Sequence, residues 1–169
     1  MCGVPYHSVD AYIARLVAKG YKVALCDQTE DPATAKGLVS RDVTRIVTPG
    51  TVTEGCMLDE SRNNSMACIY GQNGKYGLAF CDVSTGAFYA TVCHNDAAAV
   101  SELGRFAPAE VIRAGENTNT EAIENALFSH LRCCVNEGLP ADMDHKHAEE
   151  LLEWRFGTSV DQLGIGAQP

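Results

Sequence analysis

The sequence predicts an α/β protein of two unlike blocks: a small helix–strand–helix–strand layer, then a mixed sheet with crossover helices. Three observations predict it. Short β-rich apolar runs alternate with segments whose apolar residues recur at i, i+3, i+4 and i+7. Turn formers at Gly71–Gly74 and Ser84–Gly86 leave room for nothing but hairpins between the strands they join. A polar stretch separates the two textures. The expected division is residues 1–52, a linker over 53–65, and a second domain over 66–169.

In the first block Ser8 is a good helix N-cap. Val9, Tyr12, Ile13, Leu16 and Val17 then mark one buried helical face, and Gly20 ends the helix. Tyr21 to Asp27 is mostly apolar and reads as a buried strand. Asp31-Pro32 is an N-cap followed by proline at the first helical position, and Gly37 stops that short helix. Val43 to Thr48 reads as a second strand, ended by Pro49-Gly50. These strands have no obvious partners in the block, so bare sheet edges are expected.

The second block opens with strands at Met66–Tyr70, Lys75–Asp82 and Ala87–Cys93. Then the period becomes helical. A helix starts at Asp96, turns Val100, Leu103 and Phe106 inward, and closes near Pro108. Glu110–Arg113 is a strand, Thr120–Leu131 a helix, Arg132–Asn136 a strand. Asp144–Phe156 is a helix with Leu151, Leu152 and Phe156 available to a core, stopped at Gly157. A three-strand antiparallel meander followed by α-β-α-β-α implies a mixed sheet. The later strands lie parallel because a helical crossover separates them. That is the element order of a ribonuclease-H-like fold.

Composition bounds the function. With 46% hydrophobic and 21% charged residues, the chain has material for a real core. No apolar stretch approaches the roughly 20 residues of a membrane span. The net charge of −9 argues against the whole chain binding DNA independently, because phosphate contacts need Lys and Arg. The charge is uneven, however. Residues 1–52 carry six Lys and Arg against five Asp and Glu, a balance of +1 that leaves −10 to the remainder. Affinity for a polyanion therefore belongs to the first block, and protein contacts suit the acidic second block. Eight cysteines include no C-x-x-C pair, so zinc and thioredoxin readings fall away and small buried thiols are expected.

Several runs are more specific. They are Met1-Cys-Gly-Val-Pro-Tyr-His7, Val23-Ala-Leu-Cys-Asp-Gln28, Asp31-Pro32, Lys36-Gly37 and Arg45-Ile-Val-Thr-Pro-Gly-Thr51. Together, in that order, they resemble the mismatch-recognition region of the MutS family of DNA mismatch repair proteins. Asp82-Val-Ser-Thr-Gly86, Phe106-Ala-Pro-Ala-Glu110 and Phe156-Gly157-Thr158 extend the resemblance, which thins between about 115 and 150. It implies the C-terminal part of a mismatch-recognition domain, then most of a connector domain of ribonuclease-H-like fold without its last helix. The family's mismatch-reading Phe-x-Glu occurs nowhere in the chain, so a fragment without mismatch discrimination is expected. No G-x-x-x-x-G-K-[ST] loop is present either, so ATP and Mg²⁺ are expected only in the parent's ATPase region, and no cofactor here. The resemblance further implies mismatched double-stranded DNA and MutL as the parent's partners, a parent homodimer formed through other regions, and a bacterial cytoplasmic, nucleoid-associated setting.

The candidate DNA-facing residues are Met1, Pro5, Tyr6, His7, Arg41 and Arg45. His7 precedes a helix start, whose open N–H groups favour phosphate; a local hydrogen bond fixing the loop is the alternative. Arg41 and Arg45 lie around the strand that closes the first block, as phosphate contacts or as charges that protect a sheet edge. A DNA-contacting arginine at Arg41 is what the resemblance implies. It also puts the MutL-facing surface near Glu149 and Glu150. A competing reading makes the second block a metal-dependent nuclease, with Asp82 on a meander strand and Glu102 and Glu110 as further ligands. Against it, Asp82 suits a cap on the Ser84-Thr85-Gly86 turn, and one carboxylate does not hold two metals.

Overall fold

The computed structural model describes residues 3–30, 37, 39–58, 61–114, 123, 125, 129, 131, 133–138 and 144–165. Among them are two sheets and three α-helices. The short helix expected after Asp31-Pro32, residue Met1, and most of the helix expected over Thr120–Leu131 lie outside the described residues.

The first block begins with a 3-10 turn, Tyr6–Ser8, that runs into α1, Val9–Val17. Ser8 was expected to cap this helix through its hydroxyl. It makes no such bond, because the chain already turns at Pro5, whose carbonyl accepts from Ser8 N at 2.9 Å. Gly20 follows with φ +81°, a conformation that glycine adopts without the Cβ clash of other residues. Strands β1, Val23–Gln28, and β2, Arg41–Val47, pair antiparallel with a bulge at Leu25/Cys26. They are thus each other's partners, against the expectation that neither had one in the block. Ile13 and Val17 of α1 pack with Val47 and Val52 into a small core. The first strand is not buried as expected: Cys26 and Asp27 are exposed. In β2 Val47 is fully buried while Val43 and Ile46 are each 57% exposed, and no third strand joins this sheet among the described residues. Residues expected as a slack linker are partly folded. Gly55–Met57 form a 3-10 turn, and Met57 and Leu58 pack against the same small core.

The second block is a five-stranded sheet in the order β5-β4-β3-β6-β7. Strands β3, Met66–Gln72, β4, Lys75–Asp82, and β5, Ala87–Cys93, form the antiparallel meander. Asn73 and Gly74, both at positive φ, close its first hairpin, as the twist of paired strands demands. Strands β6, Glu110–Ala114, and β7, Cys134–Glu137, add on the other side of β3, parallel to it. The period-two pattern turns Tyr76, Leu78, Phe80 and Asp82 to one face. There α2, Asp96–Phe106, covers them with Ala99 and Leu103, while Phe106 stacks on Phe80 at 4.0 Å between ring centroids. Ile123, from the segment expected as a helix, is fully buried in the same core.

Asn95 caps α2 by accepting from Ala98 N at 2.9 Å, one residue before the expected start. The third helix, α3, His145–Phe156, is capped by Asp144 and ends at Gly157 with φ +66°. Its apolar residues were expected to reach a core. Leu151 and Phe156 instead remain about half exposed, at 49% and 48%, and Phe156 only approaches the Phe88 ring at 6.2 Å. No helix among the described residues is long and apolar enough to cross a membrane.

Candidate nucleic-acid interface and the junction behind it

The candidate DNA-facing residues separate into two kinds. Pro5, Tyr6 and His7 are exposed together at the 3-10 turn, and Tyr6 is 95% exposed. Arg41 is exposed at the start of β2, opposite Gln28. Arg45 differs. Its guanidinium pairs with the Glu54 carboxylate and donates to Thr53 Oγ1 at 3.0 Å. Burial pushes the Glu54 carboxyl up, but the Arg45 hydrogen bond and backbone N–H groups outweigh it and hold the group below its ordinary range. Arg45 therefore spends much of its charge within the chain, tying β2 to the segment that follows it. Among the described residues, no hydrogen bond or ion pair joins Arg41 to the 3-10 turn.

Behind β2 the expected strand stop is also a contact. The turn Thr48-Pro49-Gly50-Thr51 docks on the end of the five-stranded sheet where β3, β6 and β7 begin. Glu110, the first residue of β6, is 3% exposed. Its Oε2 accepts from the Thr48 hydroxyl and from Gly50 N at 3.0 Å, and its Oε1 accepts from Asn136 Nδ2 at 2.6 Å. A buried carboxylate is tolerable only when donors replace its lost water, and three do so here. Asn64 Nδ2 adds a bond to Pro49 O at 3.0 Å. Gly50 fits because it has no side chain: a Cβ there would stand 2.9 Å from Met66 Cβ and 3.0 Å from Glu110 Cβ. Thr48 is 8% exposed, so the contact is largely closed to solvent.

The three carboxylates of the nuclease reading go to three different tasks. Asp82 Oδ1 accepts from Ser84 N at 2.9 Å, Ser84 Oγ at 2.6 Å and Thr85 N at 3.2 Å, which is the turn cap. Burial pushes this carboxyl up, yet these bonds prevail and hold it below the ordinary aspartate range. Glu102 pairs with Arg105 at 2.7 Å along α2. Glu110 sits in the junction. Among the described residues, no group of three or more His, Cys, Asp or Glu is arranged to hold a metal ion.

Glu149 and Glu150 lie on α3, one turn from His145 at 3.6 Å and Lys146 at 3.8 Å. Such exposed i,i+4 pairs are weak and leave both carboxylates at the surface. The residues the sequence reading missed as a group are Thr48, Gly50, Asn64 and Asn136. The only available signal was an apolar strand ending in a Thr-Pro-Gly-Thr turn, which does not say what the turn meets.

With this geometry in hand, the comparisons with known proteins are specific. The family model described as MutS domain I matches residues 1–55, and that described as MutS domain II matches residues 64–168. The curated DNA mismatch repair protein MutS of Acetivibrio thermocellus is 51% identical over 130 residues, which are 75% of this chain and 15% of that protein. That of Caldanaerobacter subterraneus subsp. tengcongensis is 41% identical over 172 residues, 98% of this chain and 19% of that protein. That of Ruminiclostridium cellulolyticum is 51% identical over 166 residues, 96% of this chain and 18% of that protein. The chain thus spans less than a fifth of the length of these curated relatives. Among solved structures, a simian T-cell lymphotropic virus intasome in complex with PP2A regulatory subunit B56 gamma is similar over 56% of this chain and 42% of that chain. At 14% identity and a TM-score of 0.34, that likeness carries no argument. Two adjacent domain models in family order, the second alone covering more than half of the residues, establish that the chain belongs to the MutS family of DNA mismatch repair proteins.

Proposed function

We propose that this chain is a non-catalytic part of a MutS-type protein. Residues 1–52 are the C-terminal part of a mismatch-recognition domain, joined through 53–65 to a connector domain over 66–169. The observation that carries this reading is the pair of matches, to domain I and then domain II, in one chain. The strand order β5-β4-β3-β6-β7, with an antiparallel meander and two parallel additions, supports a ribonuclease-H-like connector.

In the parent protein the first block seats mismatched double-stranded DNA. Arg41 contacts a phosphate, and Pro5, Tyr6 and His7 offer an exposed turn to the backbone. Met1 belongs to the same surface by resemblance. Arg45, held by Glu54, shapes this surface and adds less charge to it. The connector relays the DNA-bound state toward the ATPase and meets MutL through α3 near Glu149 and Glu150. The acidic balance of that half suits protein contacts and repels phosphate. The parent acts as a homodimer in the bacterial cytoplasm, at the nucleoid.

Fluorescence anisotropy with matched and mismatched duplexes tests the DNA role. The expected result is weak, salt-sensitive binding without preference for the mismatch, and Arg41→Ala lowering the salt slope by roughly 1. Tight, mismatch-selective binding by this chain would contradict the proposal. Pull-down of MutL, weakened by Glu149→Lys with Glu150→Lys, tests the other half.

A further inference from the structure

We propose that Glu110 is the positioning residue of a clasp that couples the two blocks rigidly, so that they move as one body. Read from sequence, the Thr48–Thr51 turn is the stop of a strand just ahead of the expected linker, and Pro and Gly there suit a slack connection. Its surroundings argue for the opposite behaviour. Groups from beyond the first block grip it at three consecutive residues: the Glu110 carboxylate accepts from the Thr48 hydroxyl, the amide of Asn64, at the end of the linker, donates to the Pro49 carbonyl, and the same carboxylate accepts from the Gly50 N–H. Thr48 is also braced from its own side by the Thr51 hydroxyl, 2.8 Å from Thr48 N.

The position of Glu110 makes the grip consequential. It opens β6, pairing with Met66 of β3 on one side and Cys134 of β7 on the other. The Asn136 side chain, from β7, secures its second oxygen. The clasp is therefore anchored in the parallel half of the sheet and not on a loop. A further contact reinforces the same end: Cys134 Sγ lies 3.7 Å from Gly20 O. A displacement of the first block is delivered to the start of β6 instead of being absorbed at Pro49-Gly50. Opening the clasp strips the donors from a buried carboxylate, which gives the closed state its advantage. This coupling stands whether or not the chain meets DNA.

The test is nuclear magnetic resonance on the 169-residue chain. In the unaltered protein the two blocks share one rotational correlation time and the Gly50 amide is protected. Glu110→Ala raises the Gly50 exchange rate about 10-fold or more, as expected for losing a hydrogen bond to a charged group, and gives the blocks separate correlation times. The β4 amides of Leu78 and Phe80 keep their protection, which a general loss of stability would not allow. Glu110→Gln, which retains one acceptor oxygen, restores part of both. Thr48→Val removes a donor from the first block without touching the sheet, and decides the matter if Glu110→Ala does not fold. Independent tumbling in the unaltered protein, or unchanged Gly50 exchange and common tumbling in Thr48→Val and any folded Glu110→Ala, overturns the proposal.

Discussion

Replacing Asp82 with asparagine removes the charge and turns one buried carboxylate oxygen into an N–H₂ donor, so it measures what the buried carboxylate as a whole does. The side chain is 3% exposed, and one oxygen collects three hydrogen bonds from Ser84 and Thr85. Asparagine keeps an acceptor oxygen of the same shape, but its bonds are neutral. A charge-assisted bond is about twice as strong as a neutral one, which itself contributes about 1 kcal/mol. Against three weakened bonds stands the relief of no longer burying a charge. The net loss expected near neutral pH is about 1–2 kcal/mol. The sign of the pH dependence follows from the depressed folded value. The carboxylate's contribution is complete above the ordinary aspartate value of 3.8 and is lost as pH falls through the lower folded value. The gap between the original protein and Asp82→Asn should therefore be full near neutrality and close in acid. Urea unfolding followed by circular dichroism, across pH and with and without Mg²⁺, reads it directly. A gap independent of pH refutes the turn-clamp reasoning. A gap that widens with Mg²⁺ would return Asp82 to metal chemistry.

Two further substitutions probe the core and the end of the helix that covers it. Phe80→Ala removes a ring that is 1% exposed and stacked on Phe106. It should cost about 3–5 kcal/mol in urea unfolding; a loss below about 1 kcal/mol would mean that the core is not closed there. Ala107 ends α2 at φ +43°, a left-handed conformation that strains any residue with a Cβ. Ala107→Gly should therefore stabilise the protein by about 1 kcal/mol, seen as a raised unfolding midpoint; destabilisation would show that the methyl group matters more than the backbone.

Much of the fold was legible because it is written in local signals. Strands Lys75–Asp82 and Ala87–Cys93 carry their ends in the turn formers beside them, and α3 carries Asp144 and Gly157 at its two limits. The parallel placement of β6 and β7 followed from the length of the crossovers. The role of Asp82 was legible too, since its donors lie two and three residues away. Burial was less so. Tyr21–Asp27 reads as a buried strand, yet exposure depends on what covers a sheet face, and nothing in six residues of β1 states that. The same holds for Leu151 and Phe156 of α3.

By itself the sequence determined the order of the described strands and of α1, α2 and α3, the family and the near-neutral character of one half against the acidity of the other, because periodicity, motifs and charge are properties of neighbours along the chain. Only the tertiary structure decided that Thr48 and Gly50 meet Glu110, sixty-two and sixty residues away, and that Arg45 turns inward to Glu54. A hydrogen bond across that distance depends on how two sheets are set against each other, and no local pattern of residues encodes it.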